Sequence, residues 1–339
     1  MTSTLSIGIL GTGFSAVHVR CLLGFEDVTV RAVCGTSQAK AQAFIEKTGA
    51  SQAQPFGDFD AMLAQAKLDA LYVCLPPNAH SGQVEKAASR GLHLFLEKPI
   101  AFDLAHAEKQ AEAIDKAGVV SLVGYHNRFY QSVEAFKGLI SSGEAGRPTQ
   151  FQGRFWCNMI GPDWWRSKSG SPGQVYEQVI HIYDMALNLF GEPETVCAFT
   201  DNLAHRHMAD YAIEDTSAAI IRFKNGALAS IVGSNAAIPG QFSGDYRAVC
   251  EKAGLDFRSA GNEPSALPQA TIFQYTADGV TTRQFIEDRN PYLVENQEFI
   301  AAIRGNAISR VPVSAGVAGI RLVSAVLESA RRNGQPVSV

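Results

Sequence analysis

The chain has 339 residues, 46% apolar and 18% charged, with a formal net charge of −4. That length suits about two domains on the usual scale of ~100–200 residues each, and the apolar share excludes a disordered chain. The small negative charge gives no electrostatic reason to expect nucleic acid or an anionic membrane as a partner.

The six cysteines (Cys21, Cys34, Cys74, Cys157, Cys197 and Cys250) are scattered without paired spacing. They predict neither a disulfide framework nor a zinc site, and suit buried free thiols in a reducing cytoplasm. The apolar stretch Leu5 to Leu10 is too short for a leader and lacks a basic flank. No run is expected to reach the ~20 apolar residues of a membrane span.

Leu5 to Leu10 reads as a strand, followed by Gly11-Thr12-Gly13-Phe14-Ser15-Ala16 and an amphipathic helix through Leu23. This is the dinucleotide fingerprint with alanine in its last place. Gly11 permits the tight turn, Gly13 lets a pyrophosphate approach the backbone, and Ala16 allows close helix–strand packing. Phe14 and Ser15 lie in the same turn and join the expected cofactor contacts. A second strand, Val28 to Cys34, leads into Thr36, Ser37 and Lys40. An NAD-preferring protein usually places an acid on the ribose here, about 20 residues after the glycines. None is present, so these residues are expected to tolerate or hold a 2′-phosphate, which favours NADP over NAD. Lys40 could also be an ordinary solvated helix residue.

The strand Ala70 to Leu75 runs into Pro76-Pro77-Asn78-Ala79-His80, where Leu75, Pro76, Asn78 and His80 would meet a ribose and nicotinamide. Next, Leu92 to Leu96 is a short apolar run that ends in Glu97-Lys98-Pro99. In open α/β sheets ligands bind beyond the carboxyl ends of the strands, where Glu97 and Lys98 would emerge. Strand and helix alternate to about residue 125, closing with Val119 to Val123 and Gly124-Tyr125-His126-Asn127-Arg128-Phe129. That alternation predicts a doubly wound parallel sheet, a Rossmann domain over 1–125.

These motifs together resemble the glucose–fructose oxidoreductase / inositol dehydrogenase / rhizopine-catabolism family of NAD(P)-dependent oxidoreductases. The resemblance rests on the glycine turn, Leu75 to His80, Glu97-Lys98-Pro99 and the Gly124 to Phe129 segment, in the family's order. It implies that Lys98 lies by the nicotinamide and substrate, and that Pro99 follows a cis peptide. Asn127 joins the expected cofactor contacts.

From residue 126 to 339 the pattern changes to longer strands separated by tight turns at Lys224-Asn225-Gly226 and Ala277-Asp278-Gly279. Eight strands between Gln150 and Phe285 predict an open, mostly antiparallel sheet with helices on one face. Helices about Pro291 to Arg304 and Ser314 to Arg332 close this α+β domain, which is expected to bind substrate and to self-associate as a dimer or tetramer. Cys157, Cys197 and Val232 are candidates for its exposed face.

The chemically dense part runs from Trp164-Trp165-Arg166 through Ser171-Pro172-Gly173 to a helix over Val175 to Phe190. Glu177, His181 and Asp184 fall at i, i+4 and i+7, on one face. A solvated surface pair is the plain alternative. A metal site is not expected, because no second histidine lies in register. The family's related helix usually has three glycines leading to Asp-x3-His-x2-Asp. Here Ser171-Pro172-Gly173 replaces the glycines and Glu177 the first aspartate.

The expected reaction is reversible hydride transfer between a nicotinamide cofactor and a hydroxyl-bearing carbon of a sugar, sugar derivative or cyclitol. An imidazole with an ordinary pKa of about 6.5 suits the base role, assigned to His181. Lys98 would stabilise charge developing on the same oxygen. Glu177 would orient a hydroxyl or the imidazole, and Asp184 would fix the ring. Tyr125, Arg128, Trp165 and Arg166 could line a substrate cleft or be packing residues at a domain interface. Lys98 and His181 come from different predicted domains, so only a substrate lodged between them could be touched by both. The family also includes glycosidases that use bound NAD transiently and sensors without turnover.

Overall fold

The computed structural model describes residues 4–237, 242–261 and 266–339. Its first sheet is built from six parallel strands: β1 (Leu5–Leu10), β2 (Val28–Cys34), β3 (Gln54–Phe56), β4 (Ala70–Val73), β5 (His93–Leu96) and β6 (Ser121–Val123). Their order is β3-β2-β1-β4-β5-β6, the dinucleotide-binding order in which direction of winding reverses between β1 and β4. Every residue of β4 and β6 is buried, as expected of parallel strands covered on both faces. The expected strands are all present. Only β3 escaped sequence reading, because three residues containing Pro55 carry no periodicity.

Helices α1 (Ala16–Leu22), α2 (Gln38–Thr48), α3 (Phe59–Gln65), α4 (Gln83–Ser89) and α5 (Leu104–Ala117) alternate with these strands. Their starts follow ordinary capping chemistry. Ser37, Asp58 and Asp103 each accept a hydrogen bond from a backbone N–H of the first turn, which satisfies a group the helix leaves open.

The chain divides into two compact units, Met1–His126 with Pro291–Val317 and Asn127–Asn290 with Ala318–Val339. The sequence reading placed everything after residue 125 in the second domain. Helix α9 (Pro291–Ile303; α6 to α8 precede it and are described below) instead belongs with the first unit, where it lies against α1.

The second unit contains a nine-stranded sheet. Its strands are β7 (Pro148–Trp156), β8 (Pro193–Asp201), β9 (Thr216–Phe223), β10 (Leu228–Ser234), β11 (Ser243–Cys250), β12 (Ala253–Arg258), β13 (Gln269–Thr276), β14 (Gly279–Ile286) and β15 (Val337–Ser338). The order is β14-β13-β12-β11-β7-β10-β9-β8-β15. All pairs are antiparallel except β7 with β10. Helices α6 (Gln131–Ser141) and α8 (Ile180–Phe190) contact strands of this sheet, and a short helix, α7 (Asp163–Arg166), precedes α8. Strand residues alternate between buried and exposed, as in β9, which is the signature of a sheet with one covered face. On its other face Phe199, Ile220 and Val232 are exposed, with Ile220 at 62%. Cys157, expected there, is buried.

Helix α10 (Val313–Arg331) corrects another expectation, since its length and mean hydropathy of 1.4 would suffice to cross a membrane. Burial of 56% of that stretch, including Ile320, Leu322, Val323 and Val326, marks it as a core helix of the fold.

Candidate active site

The motifs of the first unit gather at one edge, the carboxyl ends of its strands. After β1, Gly11 has φ +102°, and a Cβ there would lie 2.3 Å from the Cys74 carbonyl oxygen. Only glycine closes this turn. At Gly13 a Cβ would meet nothing within 4 Å, so the backbone is open to a close-lying group. The Ser15 hydroxyl donates to the Gly11 carbonyl at 2.6 Å and is buried; it holds the turn. Phe14 is exposed beside it and Ala16 opens α1. This bare backbone cradle fits a dinucleotide pyrophosphate.

After β2, Thr36, Ser37 and Lys40 are exposed. The Ser37 hydroxyl caps α2, accepting from the Lys40 N–H at 3.2 Å, and no acid occupies the first turn. After β4, Leu75 and Pro76 are half-buried and Asn78 exposed. His80 Nδ1 lies 3.2 Å from the Gln110 amide, and burial pushes the ring down to about 4. It is a neutral imidazole at physiological pH.

After β5, Glu97 and Lys98 separate in role. Glu97 is buried, with Oε1 2.7 Å from His18 Nε2 and Oε2 accepting from the Lys98 backbone N–H at 3.0 Å. Glu97 therefore sits behind Lys98 and lies against the sheet edge. Gly124 makes room for it, since a Cβ there would lie 2.8 Å from its Oε1. Lys98 is half-buried, and its peptide bond to Pro99 is cis. Tyr125 is buried. His126, which the sequence reading passed over, is held down to about 3 by burial, with the Lys98 ammonium and His18 adding to the effect. Its ring stacks on Tyr292 of α9 at 4.3 Å.

In the second unit the expected helix forms, but its first turn, Val175–Val179, is π-helical and only Ile180–Phe190 is α-helical. One extra residue per turn shifts Glu177 relative to a regular α face, and such insertions are common where side chains must be aimed. Glu177, His181 and Asp184 are all buried. That excludes the solvated surface pair. The Ser171 hydroxyl donates to Glu177 Oε1 at 3.2 Å, and the His181 ring lies 6.5 Å from Phe155.

Asp184 has a different neighbour from the one expected. Arg128 donates to it through Nε at 3.0 and 3.2 Å and through Nη2 at 2.5 Å. Burial raises the Asp184 carboxyl, and Arg128 pulls it back. The two residues, assigned separately to ring orientation and substrate binding, form one buried fork. Asn127 opens this unit half-buried beside Arg128.

Trp165 and Arg166 are also bound up in structure. Trp165 is buried with Tyr211 and Ile213. Arg166 is bonded to Asp163, Asp210 and the Gly161 carbonyl. They are packed and bonded within the loop before the helix.

Glu214 was missed. It accepts from the Val175 N–H at 2.8 Å, and Gly173, at φ +124°, leaves space that a Cβ would take from its carboxylate. Burial lifts it to about 7. Nothing in its loop sequence marks it, because its partners lie 39 residues earlier.

A cluster of His18, Glu97 and Glu295 offers donor atoms within 4.8 Å of one another. Both His18 nitrogens lie within hydrogen-bond distance of side chains, Glu97 and Asn296, so the ring has no lone pair to spare for a metal ion.

The parallel sheet, the bare glycine turn and the lysine at the strand edge define a nicotinamide-dinucleotide oxidoreductase. Residues 5–125 match the model described as the oxidoreductase family, NAD-binding Rossmann fold, and residues 133–256 match the GFO/IDH/MocA C-terminal domain. The chain belongs to the Gfo/Idh/MocA oxidoreductase family. Among its relatives, myo-inositol 2-dehydrogenase of Thermotoga maritima is 28% identical over 70% of each chain. D-xylose 1-dehydrogenase (NADP(+)) 2 of Haloferax volcanii is 27% identical over 96% of this chain and 97% of its own. Levoglucosan dehydrogenase in complex with NADH and levoglucosan shares the fold, with a TM-score of 0.87 at 19% identity, covering 99% and 100% of the two chains.

Proposed function

We propose that the protein oxidises, reversibly, a hydroxyl-bearing carbon of a sugar, sugar derivative or cyclitol. The observation that carries this is the placement of Lys98 at the carboxyl end of β5, on the edge that also bears the dinucleotide turn. The bound nicotinamide supplies the hydride acceptor in one direction and the donor in the other. The Lys98 ammonium hydrogen-bonds the substrate oxygen and stabilises charge developing there. The His181 imidazole takes the hydroxyl proton, and Glu177, steadied by Ser171, orients His181 or a neighbouring hydroxyl. The names of the inositol and xylose dehydrogenase relatives support this substrate class. They also favour it over a glycosidase or a sensor.

NADP is the preferred cofactor in this reading. Its 2′-phosphate would be held by Thr36, Ser37 and Lys40, and the absence of an acid in the first turn of α2 supports this. The exposed face of the nine-stranded sheet joins copies of the chain into a homo-oligomer, and free thiols suit a cytoplasmic setting. The test is a panel of sugars and inositols with each oxidised cofactor, read by the absorbance of the reduced form.

A further inference from the structure

Helix α9 brings three polar residues, Tyr292, Glu295 and Asn296, to the first unit. Asn296 is fully buried. Its Oδ1 accepts from the Tyr72 hydroxyl at 2.8 Å, and its Nδ2 donates to the Tyr292 carbonyl at 2.7 Å. A backbone carbonyl can only accept, so the orientation of this amide is decided without reference to any other group. The same Nδ2 lies 3.0 Å from His18 Nδ1. Since an NH2 faces it, Nδ1 must present a lone pair, and the ring proton sits on Nε2. There it donates to Glu97 Oε1 at 2.7 Å, while Glu97 Oε2 takes the Lys98 N–H. The donors run in one direction: Tyr72 to Asn296, Asn296 to His18, His18 to Glu97.

We propose that Asn296 is a positioning residue for Lys98. It locks His18 in the Nε2–H tautomer, so that the ring holds one Glu97 oxygen while the other fixes the Lys98 backbone. The inference rests on the reading above only in taking Lys98 as the group that acts on substrate.

Glu295 supports it. Its Oε1 is 3.9 Å from His18 Nδ1, and neither of its fully buried oxygens has a hydrogen-bond partner among the described residues. Burial, and then the charge of Glu97, push its carboxyl well above the usual range. A neutral acid beside Nδ1 is what an unprotonated Nδ1 requires; an imidazolium would draw an anion there. Among the described residues, the titratable groups that act on or touch the cluster of His18, Glu97 and Glu295 include Cys21 on α1, Tyr72 and Cys74 at β4, Glu298 and Tyr292 on α9, and His126 after β6, which Lys98 also faces.

The test uses the full chain labelled with ¹⁵N-histidine, with His18→Gln identifying the resonance. The expected His18 signal at neutral pH is pyridine-type at Nδ1 and pyrrole-type at Nε2. Asn296→Asp, which can only accept once ionised, should protonate Nδ1. Tyr72→Phe should leave the tautomer alone, because the Tyr292 carbonyl still orients the amide. Because Nε2 keeps its proton in the Asn296→Asp imidazolium, the link to Lys98 is read in His18→Leu, which lacks a donor to Glu97. Hydrogen exchange at the Lys98 amide should be at least about tenfold faster there than in His18→Gln, as a hydrogen bond to a charged acceptor is worth a factor of about 10–100.

A proton on Nδ1 in the parent, an unprotonated Nδ1 in Asn296→Asp, or equal Lys98 exchange in His18→Leu and His18→Gln overturns the proposal. If Asn296→Asp does not fold, His18→Leu against His18→Gln decides it. None of these readouts needs turnover, so they stand apart from the assigned reaction. With a substrate, kcat in His18→Leu should fall by about tenfold or more relative to His18→Gln at unchanged cofactor affinity.

Discussion

Replacing Asp184 by asparagine should destabilise the second unit far more than an exposed ion pair would. The Arg128 guanidinium gives its bonds to both Asp184 oxygens at 2.5 to 3.2 Å, and the side chains are 13% and 1% exposed. Asparagine keeps the shape but removes the anion, leaving a buried cation without that partner. Breaking such a pair on one side costs about 3–5 kcal/mol. For a unit of this size that corresponds to a Tm lower by roughly 6–20 °C. Arg128→Met with Asp184→Leu should recover most of the loss, because replacing both charges with apolar groups of similar volume is often neutral. Thermal unfolding followed by circular dichroism, without cofactor, reads both. An Asp184→Asn variant within about 1 kcal/mol of the parent, or a double variant no better than the single, would refute a structural role for the pair.

Further outcomes follow from the same geometry. Because Glu214 is lifted to about 7, the folded chain keeps a proton that the unfolded chain releases. Its contribution is full below about pH 4 and declines as pH rises to about 7, by at most roughly 3–4 kcal/mol. Glu214→Gln should flatten that slope in denaturant titrations, and a parent with no decline there would contradict the assignment. Titration with both cofactors should show tighter binding of NADP, weakened in Lys40→Ala; tighter NAD binding unaffected by that change would count against the 2′-phosphate site. Light scattering should give a mass that is a multiple of 36.4 kDa, reduced by Ile220→Lys; a single-chain mass at micromolar concentration would end the oligomer reading.

What the sequence made legible were features set by local rules. Alternation of strand and helix, the glycine turn and the Glu97-Lys98-Pro99 edge all follow from contiguous residues, and the structure puts them where those rules require. The α9 residues illustrate a weaker signal. Glu295 and Asn296 stand one turn before Phe299 and Ile300, polar groups on a buried face, but nothing local names their partner. His18 meets Glu97 across 79 residues and Asn296 across 278. The fork between Arg128 and Asp184 likewise joins residues 56 apart, so read alone Arg128 looked available for substrate and Asp184 for the imidazole. The π turn was invisible because the helical period was assumed to be regular through Glu177. Trp165 and Arg166 stayed open for a chemical reason: flat and cationic side chains suit sugar binding and packing equally well.

Steady-state oxidation of the best substrate from the polyol panel tests most directly whether Lys98 and His181 serve one hydride transfer. Reduced cofactor should accumulate one for one with oxidised product. His181→Ala should lower kcat by about 10²–10⁴-fold with cofactor affinity preserved. Lys98→Ala should cost a comparable factor, and the double variant less than the product of the two. Product formed without net reduction of cofactor, or turnover in His181→Ala within a few-fold of the parent, would contradict that assignment.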